Sequence, residues 1–300
     1  MKVAVVGGSG FVGRHVVRRF LSIGCSVLNL DRRVPKALSP GERHVPVDLA
    51  FDREPESAAA GSGSVDAVVW LAAVPNRRRT SVDETALDDL NVMVEAPVRY
   101  LAALEPAPSR FVYMSSIQVY GLPQRLPVDE SHPTDPIYAY GVAKLCGETC
   151  LRIACGARET PLSILRPSFV YGPGQNPENV IPRFVDALRR DEPPRVYGAG
   201  SDVRDDVYVG DVARAVELAV ERRAEGVFNV AGGRPRTILE VAETACRVSG
   251  KTIRPLHVTE TGVWTDRWFD VERARRELGF EPTTSLEEGL RAMFQGDAVD

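Results

Sequence analysis

The chain has 300 residues, 44% of them hydrophobic and 26% charged, with a formal net charge of −4. That length buries a large core and suits a main domain with a smaller lobe, and the composition is that of a globular enzyme. The slight acidity removes the electrostatic grounds for a nucleic-acid or anionic-membrane partner, and no apolar run reaches the ~18–20 residues that span a bilayer.

The first element is a buried strand over Lys2–Gly7, too short for the core of a signal peptide, so the chain is expected in the cytoplasm. It runs into Gly7-Gly8-Ser9-Gly10-Phe11-Val12-Gly13 and then a helix over Phe11–Ile23. Small residues at 7, 10 and 13 let the backbone approach a pyrophosphate, while helix N–H groups face its charge. A strand before the loop and a helix after it point to a bound dinucleotide. The second strand, Ser26–Asp31, ends on an acid 18 residues past Gly13. Asp31 can accept hydrogen bonds from the adenosine ribose hydroxyls and would repel a 2′-phosphate, which favours NAD. Arg32 and Arg33 follow at once and keep NADP open. A short strand over Arg43–Val47 leads to Asp48-Leu49, placed to meet the adenine edge. Gly61-Ser62-Gly63-Ser64 reads as a loop, Ala67–Ala73 as a further buried strand, and Asp83–Leu104 as a helix.

The strand Arg110–Ser115 ends in two hydroxyls. Ser116 is expected to orient a substrate oxygen, and Ser115 to cap a helix or close a turn. The next helix, Tyr138–Cys155, carries Tyr140 and Lys144 four residues apart and therefore on one face. With 8 tyrosines and only Lys2, Lys36, Lys144 and Lys251 as lysines, such a pair arises by chance roughly 0.1 times. A unit charge about 4 Å away at an effective dielectric of ~20 is worth about 4 kcal/mol. That is enough to bring a phenol from ~10 toward neutrality and make Tyr140 a base for a sugar hydroxyl. Cys146 and Cys150 on the same helix read as small buried apolar residues. The 5 cysteines lack C-x-x-C spacing and the 4 histidines (His15, His44, His132, His257) are scattered, so neither a disulfide framework nor a metal site is expected.

Leu162–Arg166 is the last of the alternating strands, a texture that argues a doubly wound parallel sheet. Beyond it Pro167, Pro173, Pro177, Pro182, Pro193 and Pro194 punctuate short elements, with helices near Val180–Arg190, Gly210–Arg223 and Ile238–Ser249. The expected fold is α/β. A Rossmann-type doubly wound parallel sheet spans residues 1–166, and a smaller C-terminal substrate-binding lobe spans 167–300, with some segments returning to the sheet.

These residues resemble the extended short-chain dehydrogenase/reductases, specifically the NAD-dependent nucleotide-sugar epimerase/dehydratase family. The resemblance covers essentially the whole chain. It rests on Gly7–Gly13, Leu71-Ala72-Ala73, Asn91, Ser115-Ser116-Ile117-Gln118-Val119-Tyr120-Gly121 and Tyr140–Lys144. It continues through Leu165-Arg166-Pro167, Val170-Tyr171-Gly172-Pro173-Gly174-Gln175, Val196-Tyr197-Gly198-Ala199-Gly200, Arg204-Asp205, Val209-Gly210-Asp211-Val212 and Glu277-Leu278-Gly279-Phe280. It implies Ser116, Tyr140 and Lys144 as catalytic residues, with Tyr140 and Lys144 also at the cofactor. Leu71, Ala72, Ala73, Asn91, Met114 and Pro167 match cofactor-pocket positions. Gln118, Asn179, Val180, Tyr197 and Arg204 join Ser116 at the substrate. Arg204 offers a planar fork to a diphosphate, against the plainer reading of an ion pair with Asp205 or Asp206. The family also implies a homodimer joined through the helices Asp83–Leu104 and Tyr138–Cys155.

Two departures separate the family's chemistries. Its dehydratases carry an Asp-Glu pair directly after the catalytic hydroxyl, where this chain has Ile117-Gln118. Its epimerases add an Asn where this chain has Phe169, and a second diphosphate arginine where it has Glu260-Thr261-Gly262, with Arg267 nearby at a different offset. The resulting expectation is an NAD-dependent epimerase acting at C4 of a nucleotide-diphosphate hexose through a transient 4-keto sugar. The alternatives are an NAD(P)H-dependent 4-ketosugar reductase of the same fold and a dinucleotide-sensing protein without chemistry.

Overall fold

Successive side chains of a strand point to opposite faces, so a strand covered on both sides needs an unbroken apolar run. β1 (Lys2–Val6) is such a run. Val3 and Val5 pack into one core with Val16 and Phe20, and Ala4 and Val6 into another with Trp70 and Tyr100. The computed structural model of the chain describes residues 1–49, 54–74, 90–259 and 265–296. In it β2 (Ser26–Leu30), β3 (Glu42–Val45), β4 (Ala67–Trp70), β5 (Phe111–Met114) and β6 (Leu162–Pro167) extend the sheet. The short strands β7 (Phe169–Tyr171), β8 (Arg195–Tyr197), β9 (Val203–Arg204) and β10 (Asp206–Tyr208) follow. The last three are β11 (Gly226–Val230), β12 (Arg236–Thr237) and β13 (Leu256–Val258).

Seven strands form one all-parallel sheet in the order β11-β6-β5-β4-β1-β2-β3. Helices Phe11–Ser22 and Val209–Arg222 cover one face, and Glu54–Ser62, Ala96–Ala103 and Ala139–Ala157 the other. This is the expected α/β Rossmann-type doubly wound sheet. Because all strands run the same way, Gly7, Asp31, Leu71, Ser115 and Ser168 emerge along one rim, with the reversal of strand order between β1 and β4.

Beside that rim, helices Val180–Arg189, Ile238–Val248 and Leu286–Gln295 share a separate core of Ile181, Phe184, Leu188, Val241, Ala245 and Leu290. Two of them start on reciprocal caps, Thr237 with Glu240 and Ser285 with Glu288.

Several boundaries differ from expectation. The strand expected over Ala67–Ala73 stops at Trp70, and the one over Arg43–Val47 runs Glu42–Val45. Gly61 and Ser62 are not a loop but the last turn of Glu54–Ser62, where the Ser62 hydroxyl donates to the Ala58 carbonyl at 2.6 Å and meets the Tyr100 hydroxyl at 2.8 Å. Residues 83–89 of the helix expected from Asp83 lie outside the described residues. Its described part opens as a widened π-type turn, Asn91–Glu95, continues as Ala96–Ala103, and becomes extended at Leu104. Cys146 and Cys150 are half-buried rather than buried, because they share the outward helix face with Val142 and Ile153, 43% and 72% exposed. No helix among the described residues is long and apolar enough to cross a membrane.

Candidate active site

The glycine loop is held by its own backbone. Gly7 adopts a φ of +88° that disfavours any side chain, its N–H donates to the Leu30 carbonyl at 2.7 Å, and a Cβ there would stand 2.7 Å from the Ala72 nitrogen. The Leu71 N–H donates to Val6 at 2.8 Å, so Leu71-Ala72-Ala73 leaves β4 directly against the loop. A Cβ on Gly10 would meet only the Gly7 carbonyl at 3.1 Å and Arg33 Nη2 at 3.5 Å, so that side is open to a ligand. The helix begins at Phe11 and Val12 with no side-chain cap and no acid in its first turn, leaving its N–H groups for an anion.

Asp31 stands one residue past β2. Its Oδ2 accepts from the Ser9 N–H at 3.1 Å and its Oδ1 from the Arg33 N–H at 2.9 Å, with Arg33 Nε 3.7 Å away. The carboxylate therefore sits at the mouth of the loop, and Arg33 is turned back onto it while Arg32 is exposed. Asp48 and Leu49 follow β3 on the same rim, half-buried. An unexpected contributor is Asn29, whose Nδ2 donates to Ser9 Oγ at 3.3 Å and Glu42 Oε1 at 2.8 Å. Its signal in the sequence is an amide inside the apolar run Val27–Leu30. The open loop and the placed acid fit a dinucleotide.

The second cluster forms where β5 ends against the helix Ala139–Ala157. Gly141 allows the close approach, since a Cβ there would lie 2.6 Å from the Gln118 carbonyl. Ser116, not Ser115, caps the following turn: its Oγ accepts from the Gln118 N–H at 3.2 Å, which leaves its proton to donate elsewhere. Ser115 instead donates to Glu148 Oε1 at 2.5 Å. Lys144 is 1% exposed, and its Nζ donates to the Met114 carbonyl at 2.8 Å. It lies 5.0 Å from the Tyr113 ring centre and 5.7 Å from that of Tyr140. Burial lowers Lys144 from 10.5 to about 7, with the Glu148 carboxylate pulling it back up. The Lys144 nitrogen thus stands beside the Tyr140 ring on one helix face.

Behind this face runs a buried polar chain; Tyr120 and Arg166 belong to the sequence motifs, but their joining is visible only in the fold. Glu148, one helical turn beyond Lys144, takes Arg166 Nε at 2.9 Å and Nη2 at 2.6 Å on its two oxygens. Arg166 lies 4.7 Å over the Tyr120 ring, and the Tyr120 hydroxyl donates to Asn229 Oδ1 at 2.7 Å. Asn229 in turn holds the Val128 carbonyl at 3.0 Å, tying β11 to the 128 segment.

A cavity of about 700 Å³ opens in the smaller lobe, with Val180, Arg183, Phe184, Tyr197, Arg204 and Leu256 among its walls. Three of the expected substrate residues, Val180, Tyr197 and Arg204, thus share one chamber. Ser116, Gln118 and Asn179 are not among its walls. Asn179 precedes the helix Val180–Arg189 and bonds Asn176, while the buried Gln118 Oε1 has no partner among the described residues. The Arg204 guanidinium lies 4.7 Å over the Phe169 ring. Loss of solvent pushes Asp206 up to about 6, and Arg204 is the first charge that pulls it back. Asp205 is likewise raised to about 6 by burial, opposed by backbone N–H groups that include Phe269. Asn91 begins the widened turn, and Pro167 ends β6 in a buried position.

Residues 3–231 match the profile of the NAD dependent epimerase/dehydratase family. The chain is 30% identical over 307 residues to the UDP-glucose 4-epimerase of Mycolicibacterium smegmatis, a match covering 97% of this chain and 96% of that one. Its fold is similar to that of the UDP-glucose 4-epimerase of Thermotoga maritima, solved with UDP-glucose, at a TM-score of 0.86, 28% identity and 98% of each chain. The UDP-glucuronic acid 4-epimerase of Bacillus cereus, solved with NAD, is similar at a TM-score of 0.84, 25% identity and 98% of each chain.

Proposed function

The chain belongs to the NAD dependent epimerase/dehydratase family, and on that premise we propose that it epimerises a nucleotide-diphosphate hexose at C4. The observation that carries this reading is the buried Lys144, tethered to the end of β5 beside Ser116 and on one helix face with Tyr140, without an acid at 117 or 118.

NAD, when bound, supplies a hydride acceptor that returns the hydride, so the reaction has no net redox change. Gly7, Gly10, Phe11, Val12 and Gly13 would cradle its pyrophosphate, and Asp31 would take the adenosine ribose. Asp48 and Leu49 would face the adenine, with Leu71, Ala72, Ala73, Asn91, Met114 and Pro167 as the remaining walls. Lys144 stabilises the Tyr140 phenolate, whose oxygen removes the proton of the sugar 4-hydroxyl and later gives it back. The Ser116 hydroxyl hydrogen-bonds the same sugar oxygen and keeps it in line. Gln118 orients the sugar but cannot serve as the second acid–base group that eliminating water would need. The 4-keto sugar turns within the pocket while Val180, Tyr197 and Arg204, with Asn179, hold the nucleotide diphosphate. Residues 1–166 carry the cofactor and 167–300 mostly the substrate. The enzyme works in the cytoplasm as a homodimer, joined through the helices expected over Asp83–Leu104 and Tyr138–Cys155, the second of which bears Val142 and Ile153 on its outward face.

Incubation with UDP-glucose, UDP-galactose, their N-acetyl forms and dTDP-sugars without added cofactor, read by NMR of the anomeric protons, tests the reading. Interconversion is expected, reduced roughly 10²–10⁴-fold in Tyr140→Phe. Turnover only of a 4-keto sugar with NADH or NADPH would establish the reductase instead.

A further inference from the structure

Lys144 is held by a ring of buried contacts that closes back on its own helix. Its Nζ donates to the Met114 carbonyl at 2.8 Å. That carbonyl shares a peptide unit with the Ser115 N–H, which donates to the Leu165 carbonyl of β6 at 2.7 Å. The Ser115 hydroxyl donates to Glu148 Oε1 at 2.5 Å, and Glu148 stands four residues after Lys144 on the helix Ala139–Ala157, on the same face. Lys144, Ser115 and Glu148 are all sealed from solvent. From β6, Arg166 grips both carboxylate oxygens and fixes their plane, and Arg152 reaches the same group from the helix surface at 3.1 Å. β5 and the helix also set two phenols against the Lys144 nitrogen, with the Tyr113 ring centre at 5.0 Å and that of Tyr140 at 5.7 Å. Burial drives Tyr113 well above its ordinary 10, so it stays neutral, and its hydroxyl donates to the Met93 carbonyl. Tyr120, under Arg166, is pushed up to about 12 by burial. Glu95 of the neighbouring turn is turned to the surface, where it pairs with Arg99. Glu148 is thus the carboxylate that works against the burial of Lys144.

We infer that Glu148 is the positioning residue of the catalytic lysine: its carboxylate keeps the Lys144 ammonium charged and, through Ser115, holds the Met114 carbonyl where that ammonium binds. An ammonium cut off from water gives up its proton readily unless an anion stands near. Glu148 supplies that anion from behind, where Arg166 fixes it, and leaves the other side of the lysine to Tyr140. The inference rests on Lys144 acting as the cation beside Tyr140, and adds a residue that touches neither substrate nor cofactor.

The chain has only 4 lysines, so NMR of protein isotope-labelled at lysine Cε resolves Lys144 as the signal lost in Lys144→Met. Its titration is followed in the parent, Glu148→Gln and Glu148→Asp, beside the pH profile of kcat/KM for the nucleotide sugar that is turned over. Glutamine keeps the shape and removes the charge. It should move the Lys144 midpoint and the alkaline limb of kcat/KM about one pH unit lower, with kcat changing more than KM. Aspartate keeps the charge and should hold the midpoint close to that of the parent. If Glu148→Gln does not fold, the double variant Glu148→Gln with Arg166→Met, which removes both members of the buried pair, is read in its place with the same expectation. A parent-like midpoint in the folded glutamine variant would overturn the inference, and so would equal shifts in the glutamine and aspartate variants. A lowered midpoint in Glu148→Gln, with a parent that epimerises no nucleotide sugar, would uphold the hold on Lys144 and remove the C4-epimerase reading.

Discussion

Burying an ammonium is costly, and Lys144 accepts that cost with the Met114 carbonyl as its hydrogen-bond acceptor. Between about 7 and its ordinary 10.5 the folded protein binds fewer protons at this site than the unfolded chain does. The penalty is therefore complete below about 7 and fades as pH rises toward 10.5. Lys144→Met should melt at or above the parent at pH 6, with the gap narrowing toward pH 10, while turnover drops by roughly 10²–10⁴-fold. A variant melting well below the parent at pH 6 would contradict this account. Gly7→Ala meets the opposite problem, with a φ of +88° and a neighbour 2.7 Å from the new methyl. It should lose on the order of 1–3 kcal/mol in urea unfolding, together with NAD affinity. At this scale Gly7, Asp31, Tyr140 and Lys144 are legible in the sequence because each has a fixed offset from a strand end or along a helix face. The joining of Glu148 to Arg166 is not, since a buried polar residue is spelled like an exposed one, and Asn29 shows only as an amide inside an apolar run.

Between elements, the Glu148–Arg166 pair joins the Tyr140 helix to β6, and Ser115 brings in β5. Removing Arg166 leaves the buried Glu148 with only the half-exposed Arg152, at 3.1 Å, as an ion partner, whereas removing both charges leaves none to match. Arg166→Met should therefore cost about 3–5 kcal/mol in urea unfolding. The double variant Glu148→Gln with Arg166→Met should cost less than the sum of the two single changes. Additive losses would show that the two groups do not act as a pair. Strands β1, β2 and β4–β6 are legible because both faces demand apolar residues, but their pairing with distant short segments is not. The bridge between Arg204 and Arg267 joins residues 63 positions apart in number (267 − 204), which no local pattern encodes. The helix Glu54–Ser62 escapes notice for another reason: its Ala58–Ala60 stretch has helical propensity without a periodic apolar stripe.

For the molecule as a whole, the parallel sheet follows from alternation along the chain, while the lobe has to be seen in three dimensions. Its core draws on helices from Val180, Ile238 and Leu286, and the last of these lies over 100 residues from the first. The outward face of Val142, Cys146, Cys150 and Ile153 belongs to this scale too. Light scattering at micromolar concentration should give a dimer for the parent and a monomer for Ile153→Glu, and a monomeric parent would remove the proposed assembly. The central claim is that hydride leaves and returns to the same carbon within one closed enzyme. It is tested most directly by supplying the sugar nucleotide that is turned over with deuterium at C4, in ordinary water and without added cofactor. Epimerised product that keeps the deuterium at C4 is the expected result. Loss of the label to solvent, or a requirement for added NADH, would contradict the account.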